Sequence, residues 1–243
     1  MKISFCQTSK NRLYQFKETV FTNLKAIKND INSELVLVNY DDHELEIFAK
    51  NYLQEWIDNK YFVYLRLYDM PYFEVSKAKN IAHFTAKGDF VFNLDCDNFL
   101  DNEINAYRSI WETYPDAVIH GLSKGVNAGY DGSYGRIGLS KNIFNYFGGY
   151  DEDILGVSED TDLIRRCLRF NMPYARVLGN NQRAIQNSRK DTVENVKGSP
   201  TFEDCFIKNK ALSLKKLQEH GVIRNKERQK VKVIKNFDKE IEV

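Results

Sequence analysis

Asp95 and Asp97 stand two positions apart in Asp95-Cys96-Asp97-Asn98, directly after the apolar run Phe90-Val91-Phe92-Asn93-Leu94. Oxygen ligands so spaced suit Mg2+ or Mn2+, ions that bridge protein carboxylate to diphosphate. Asp151/Asp153 and Asp160/Asp162 share the spacing, but only Asp95/Asp97 follows an apolar strand; the plainer alternative is a solvated turn. A second group, Glu159-Asp160-Thr161-Asp162, puts three acids in four residues at a helix start. The helix dipole favours acids there, so capping is one explanation. Three acids repel one another, which suits a general base with hydroxyl-accepting neighbours. Thr8-Ser9-Lys10-Asn11-Arg12 offers hydroxyls and cations to a nucleotide, or caps a helix through Ser9 or Asn11. Asp41 and Asp42 can accept from a base or ribose, or close an Asx turn. Gly129-Tyr130-Asp131-Gly132-Ser133-Tyr134 can stack a sugar ring through Tyr130 and Tyr134, or form an ordinary surface loop.

These groups need elements to position them. Apolar strands are expected at residues 3–6, 35–38, 61–67 and 90–94, alternating with helices whose apolar residues return at helical spacing. Such alternation predicts βαβ units and a parallel sheet covered on both faces. The first, second and fourth strands end in polar clusters, and in these sheets ligands bind outside the carboxyl ends. The second half is more irregular, with short strands at 117–119 and 137–139. Helices are expected at 143–147, 159–170 and 202–220. For the last, Phe206, Leu214 and Leu217 are the expected inner face, followed by a charged tail.

The 243 residues suffice for one sizeable core. Hydrophobic residues are 42% and charged residues 28%, which excludes a disordered chain. The start, MKISFCQTSK, turns polar too soon for a signal peptide, and no apolar run is long enough for a bilayer. A cytoplasmic protein is expected, free or peripheral at a membrane. Cys6, Cys96, Cys167 and Cys205 form no CxxC, so reduced buried thiols are expected. The histidines form no HxxH, and no GxGxxG or P-loop occurs. A net charge of +1 argues against a nucleic-acid partner. It hides an asymmetry: residues 205–243 carry +6 and the rest −5. That basic tail suits peripheral contact with anionic lipid; a solvated, packed helix is the alternative.

The order of these clusters resembles a GT-A glycosyltransferase, in particular bacterial family-2-type enzymes with a C-terminal part similar to the β-1,4-galactosyltransferase group. The matching pieces are Thr8-Ser9-Lys10-Asn11-Arg12, Val38-Asn39-Tyr40-Asp41, Tyr72-Phe73, Ala78-Lys79-Asn80, Gly88-Asp89, Asn93-Leu94-Asp95-Cys96-Asp97-Asn98, Gly135-Arg136-Ile137 and Gly148-Gly149-Tyr150-Asp151-Glu152, followed by Glu159-Asp160-Thr161-Asp162-Leu163. The resemblance implies an α/β GT-A fold, a mostly parallel central sheet flanked by helices, over residues 1–200. Residues 201–243 would add a C-terminal helix and basic tail. It implies transfer of a hexose or N-acetylhexosamine from a nucleotide-diphosphate sugar, most often a UDP-sugar, to a glycan or other hydroxyl. Inversion, Mn2+ or Mg2+ assistance and a role in surface polysaccharide synthesis go with it. Thr8, Lys10, Arg12, Asp41, Lys79, Asn80 and Asp95 would bind donor, and Asp97 the metal. Asp160, with Glu159 beside it, would deprotonate the acceptor, and Asp162, Tyr130 and Tyr134 would touch the acceptor. Relatives usually carry a tryptophan before the Glu-Asp pair, where this chain has Leu155-Gly156-Val157-Ser158. They also supply a downstream metal-binding histidine, absent from Ala184-Ile185-Gln186-Asn187-Ser188. The alternatives are a retaining transferase, a nucleotidyltransferase on the same Asp pair, or an inactive sugar-nucleotide-binding scaffold.

Overall fold

The computed structural model describes the chain except Ile31, Asp101, 124–131, 180–182 and Ser199. Strand β1 (Ile3–Ser9), helix α1 (Leu13–Asn29) and strand β2 (Ser33–Tyr40) form the first βαβ unit. Next come α2 (His43–Tyr52), α3 (Gln54–Asp58), β3 (Phe62–Leu67), α4 (Val75–Thr85) and β4 (Phe90–Asn93). The middle of the chain supplies α5 (Glu103–Thr113), β5 (Val118–Ser123), β6 (Ile137–Ser140), α6 (Lys141–Phe147), α7 (Glu159–Arg169) and β7 (Tyr174–Gly179). A short α8 (Arg189–Val193), a long α9 (Phe202–His220), β8 (Lys232–Lys235) and β9 (Lys239–Glu242) complete it.

The strands make one sheet in the order β7-β5-β6-β4-β1-β2-β3-β8-β9. Its centre, β4-β1-β2-β3, is parallel. β6 is antiparallel to both β4 and β5, and β8 runs antiparallel to β3. Side chains alternate across a strand, so each central strand feeds two cores. Phe5, Leu35 and Leu37 face one core with Phe16, Val20, Leu24, Tyr107 and Trp111. Cys6, Val36 and Val38 face the other with Ala78, Ile81, Phe144 and Leu163. All four cysteines are free and buried.

The C-terminal part departs from the sequence expectation. Residues 232–242 form a hairpin whose first strand extends the sheet beyond β3, where a charged tail was expected. The inner face of α9 is Cys205, Asn209 and Ser213, while Phe206 and Leu214 are 42% and 43% exposed. The reason is polar. Asn209 Nδ2 donates to the carbonyls of Leu155 and Val157 at 2.7 and 2.8 Å, and Ser213 Oγ donates to Asp162 Oδ1 at 2.8 Å. The face is defined by hydrogen bonds that apolar periodicity does not register. No helix among the described residues is long and apolar enough to cross a membrane.

His83 of α4 gives the fold a pH dependence. Its Nδ1 stands 2.7 Å from the Lys79 carbonyl, which can only accept, so Nδ1 carries the proton. The ring stacks on Phe144 at 4.8 Å. Burial pushes its pKa down to about 3, against about 6.5 in an unfolded chain. A depressed histidine contributes stability present above about pH 6.5 and lost as pH falls towards 3, because the unfolded chain then binds the extra proton. Going from pH 7 to pH 5, wild type is expected to lose about 2 kcal/mol more than His83→Leu. Urea unfolding of both at the two pH values measures this, and equal losses would refute it.

Candidate active site

The carboxyl ends of the parallel strands converge on one edge. β1 leads into Lys10, β2 into Asp41, β3 into Met70 and β4 into Asp95–Cys96–Asp97. Residues 132–136, directly before β6, run past the same edge. Gly135 is required there: a Cβ on it would lie 2.2 Å from Asp95 Oδ2 and 3.1 Å from Asp160 Oδ2. The two acidic motifs, 65 residues apart by number, therefore meet across one glycine. Asn93 Nδ2 fixes the arrangement by donating to the Gly135 carbonyl at 2.8 Å and to Asp95 Oδ1 at 3.0 Å.

Lys79 is the centre of this group. Its buried ammonium donates to Glu159 Oε1 at 2.7 Å and to both Asp160 oxygens at 2.8 and 3.0 Å. Asp95 Oδ1 lies 3.7 Å away. Burial works against its charge, but Asp160, Glu159 and Asp95 outweigh it and hold the ammonium well above the ordinary lysine range. Burial pushes the Asp160 carboxyl up, Lys79 pulls it down, and Glu159 and Asp95 push it up again, leaving it raised. A raised carboxylate is a stronger base. Its side chain is 13% exposed.

Asp97 lies on the other side of Asp95. Burial, then the Asp95 charge, pushes its pKa up to about 6. Asn98 Nδ2 donates to Asp97 Oδ1 at 2.6 Å and Asn187 Nδ2 to Asp97 Oδ2 at 2.5 Å. Asn187 thus stands against the carboxylate in the segment that lacks the histidine. The donor set fits a hard divalent cation: two neighbouring carboxylates, one strained by the other's charge. No cluster of three or more acidic, histidine or cysteine ligands occurs among the described residues. Asp95 and Asp97 would hold the ion, with remaining positions left to diphosphate and water.

The other expected donor residues are largely engaged by the protein. Lys10 Nζ donates to the carbonyls of Met70 and Tyr40 at 2.6 and 3.4 Å. Asp41, at a φ of 66°, accepts from Met70 N at 2.9 Å and from Arg66 at 3.3 Å. Arg12 donates to the Asp191 carbonyl and lies 3.9 Å from Glu194. Thr8 is buried near the end of β1. Asn80 is turned away from the edge: its Nδ2 donates to the Tyr150 carbonyl and Glu152 Oε1, both at 2.9 Å, and its Oδ1 accepts from Tyr150 N at 2.7 Å. It clamps the 148–152 turn to α4 instead of facing a donor.

Asp162, expected at the acceptor, is also turned inward. Successive helical residues are about 100° apart, so positions 160 and 162 point to nearly opposite sides. Asp162 Oδ2 accepts from Arg166 Nε and Oδ1 from Ser213 Oγ, both at 2.8 Å, and the side chain is buried. Tyr134 is 40% exposed, and its carbonyl stands 2.8 Å from His120 Nε2. Tyr130 lies outside the described residues. Arg136, which the sequence reading places in the Gly135-Arg136-Ile137 match without a role, is fully buried. Its Nε donates to Asn98 Oδ1 at 2.7 Å, and its NH2 to the carbonyls of Phe99 and Arg183 at 2.8 Å. It ties the loop after β4 to the segment carrying Asn187. An arginine inside a glycine-rich stretch was the available signal.

No family model and no curated protein matches the chain. Solved structures do. S. aureus TarS superposes with a TM-score of 0.59 at 16% identity, over 80% of this chain and 38% of that one. TarS 1–349 in complex with UDP gives 0.59 at 14%, over 90% and 72%. The mannosyltransferase PcManGT from Pyrobaculum calidifontis, in complex with GDP-Man and Mn2+, gives 0.56 at 12%, over 74% and 55%. The chain thus spans little more than a third of full TarS. The likeness shows a GT-A-type fold: a mixed sheet with a parallel centre, flanked by helices.

Proposed function

We propose that this chain is a glycosyltransferase that moves a hexose or N-acetylhexosamine from a nucleotide-diphosphate sugar to an acceptor hydroxyl, with inversion. The observation that carries it is the meeting of Asp95 and Asp160 across Gly135, at the carboxyl edge of a GT-A-type sheet. Structures of similar fold hold UDP, UDP-GlcNAc, or GDP-Man and Mn2+, which supports a nucleotide-sugar donor and favours UDP. Role in surface polysaccharide synthesis is part of the same reading and rests on the motif resemblance.

Asp160 takes the proton of the acceptor hydroxyl. That oxygen bonds to the anomeric carbon from one face while the carbon–oxygen bond to diphosphate breaks on the other. The nucleoside diphosphate leaves with the electron pair. Asp97 and Asp95 would hold Mn2+ or Mg2+, which would supply positive charge for the leaving group. Lys79 keeps Asp160 in place, and Glu159 shares its ammonium. Asp162 and Asn80 stabilise the surrounding turns in this scheme. Of the tail's cations, Lys216, Arg224, Arg228 and Lys232 stand in ion pairs, while Lys208 and Lys210 are exposed on α9.

Calorimetric titration with UDP and Mn2+ tests the reading, followed by hydrolysis of UDP- and GDP-sugars. Asp97→Asn is expected to weaken UDP binding at least tenfold, about 1.4 kcal/mol, when Mn2+ is present. Without metal it should change little. Equal UDP affinity of both proteins in Mn2+ would remove Asp97 from the metal site.

A further inference from the structure

A surface helix normally turns its apolar stripe to the core and its polar side to solvent. Helix α9 does the reverse. Asn209 and Ser213 are buried, held inward by their bonds to Leu155, Val157 and Asp162. Phe206, Ile207 and Leu214 are 42%, 68% and 43% exposed, and Ala211 is exposed between them. At about 100° per residue, Ile207, Ala211 and Leu214 share one face, nearly opposite Cys205, Asn209 and Ser213. Lys208, Lys210 and Lys215 are exposed around this stripe. Lys208 and Lys210 stand in no ion pair among the described residues, and Lys215 has only a loose one, 3.9 Å from Glu219. The acids of the outward face lie in the first turn. There Glu203 pairs with Arg189 at 2.5 Å, and Asp204 accepts from Thr201 Oγ1 at 2.7 Å.

We propose that the outward face of α9 docks on an anionic lipid surface. Phe206, Ile207 and Leu214 enter the headgroup region, and Lys208, Lys210 and Lys215 meet the anionic headgroups. Apolar side chains rimmed by lysines are what an interfacial helix presents to such a surface. A second copy of the chain fits less well. At roughly 200 Å² for a large side chain, the three exposed residues offer on the order of 300 Å², against about 800 Å² from each partner in a stable pair. A twofold contact would also bring the lysines of both copies together, and like charges repel. The inference is independent of the transferase reading, but it gives that site a setting. Asn209 ties the far side of α9 to the carbonyls of Leu155 and Val157, just before Glu159. The docking face is therefore about one helix diameter, roughly 10 Å, from the turn that leads to Asp160.

Co-sedimentation of the full chain with vesicles tests this, using phosphatidylcholine alone and an equal mixture with phosphatidylserine. Binding to the mixture should be at least tenfold tighter and should weaken as NaCl rises. Ile207→Gln with Leu214→Gln should lose at least tenfold in binding, since both apolar anchors are gone. Lys208→Gln with Lys210→Gln should lose about 30-fold, at about 1 kcal/mol per lysine. All four positions are exposed, so urea midpoints and UDP affinity should stay at wild-type values. Lys226→Gln with Lys230→Gln, exposed cations outside α9, should bind as wild type. Insertion is read from Ile207→Trp, whose added fluorescence should be quenched by brominated acyl chains. Four outcomes overturn the proposal. Wild type pellets equally with both vesicles, or with neither. Removal of Ile207 and Leu214 leaves binding unchanged. The Lys226 and Lys230 control loses as much as the α9 lysine pair, which would make the attraction one of net charge. Sedimentation equilibrium shows a dimer that Ile207→Gln with Leu214→Gln dissolves, which would give the face to a second copy. Failure of UDP to bind would overturn the transferase reading alone and leave the vesicle result standing.

Discussion

Asp160→Asn is expected to leave UDP affinity at the wild-type level and to lower sugar transfer about 10²- to 10⁴-fold, the usual cost of losing a general base. The amide keeps the shape, and Lys79 can still donate to its oxygen, so the packing around Gly135 survives. What disappears is the site that receives the acceptor proton. Glu159 complicates the result, because it shares the Lys79 ammonium at 2.7 Å. Freed from competition with Asp160, it can accept part of the proton traffic. The double variant Glu159→Gln with Asp160→Asn should therefore transfer less than the single one while still binding UDP. Rates are measured with any donor that the hydrolysis screen identifies. Transfer at the normal rate by Asp160→Asn would discard the inverting scheme and call for a retaining route or another base.

The parts of this site that could be read in the sequence are those where one strand positions one motif. Asp95 and Asp97 follow an apolar strand, and the sheet rule puts them at its carboxyl edge without further knowledge. Glu159 and Asp160 were legible as acids too crowded for capping. Contacts made across the fold were not legible. Asn80 sits beside Lys79, yet the two side chains leave α4 in different directions, one to the 148–152 turn and one to the carboxylates. Asp162 shared the acidic signature of Asp160 and faces the opposite way. Arg12 is engaged by residues near position 191, far along the chain. The polar inner face of α9 escaped for the same reason: Asn209 and Ser213 are buried because their partners are polar, and those partners lie in another element.

Those partners lead to the largest expected change in stability. Asp151 Oδ1 pairs with Lys216 at 2.8 Å and its Oδ2 with Arg224 Nε at 2.8 Å. Arg224 also stands 3.6 Å from Asp162 Oδ1, which Ser213 bonds and whose other oxygen holds Arg166. Asp151, Asp162, Arg166 and Arg224 are essentially without solvent. Removing one member of such a group leaves an uncompensated buried charge, which costs about 3–5 kcal/mol. That is a large share of the roughly 5–15 kcal/mol that holds a domain together. Arg224→Met keeps most of the volume and removes the charge, so it should lower the unfolding midpoint by about 10 °C, at roughly 2–4 °C per kcal/mol for a chain of this size. Lys232→Met is the control. Its pair with Glu240 is exposed on both sides, 69% and 56%, so solvent screens it and its loss should leave the midpoint nearly unchanged. Scanning calorimetry of the two variants measures the difference, and equal shifts would mean that the buried group does not govern stability. The same contacts bear on the division of the chain at residue 200. Ser213, Lys216 and Arg224 all come from beyond it, and they neutralise or bond Asp151 and Asp162 on the near side. A fragment ending at residue 200 would lose all three at once, leave two buried carboxylates without their partners, and expose the start of the helix that carries Asp160. Residues 201–243 therefore pack against the turn and helix that carry Asp151 and Asp162.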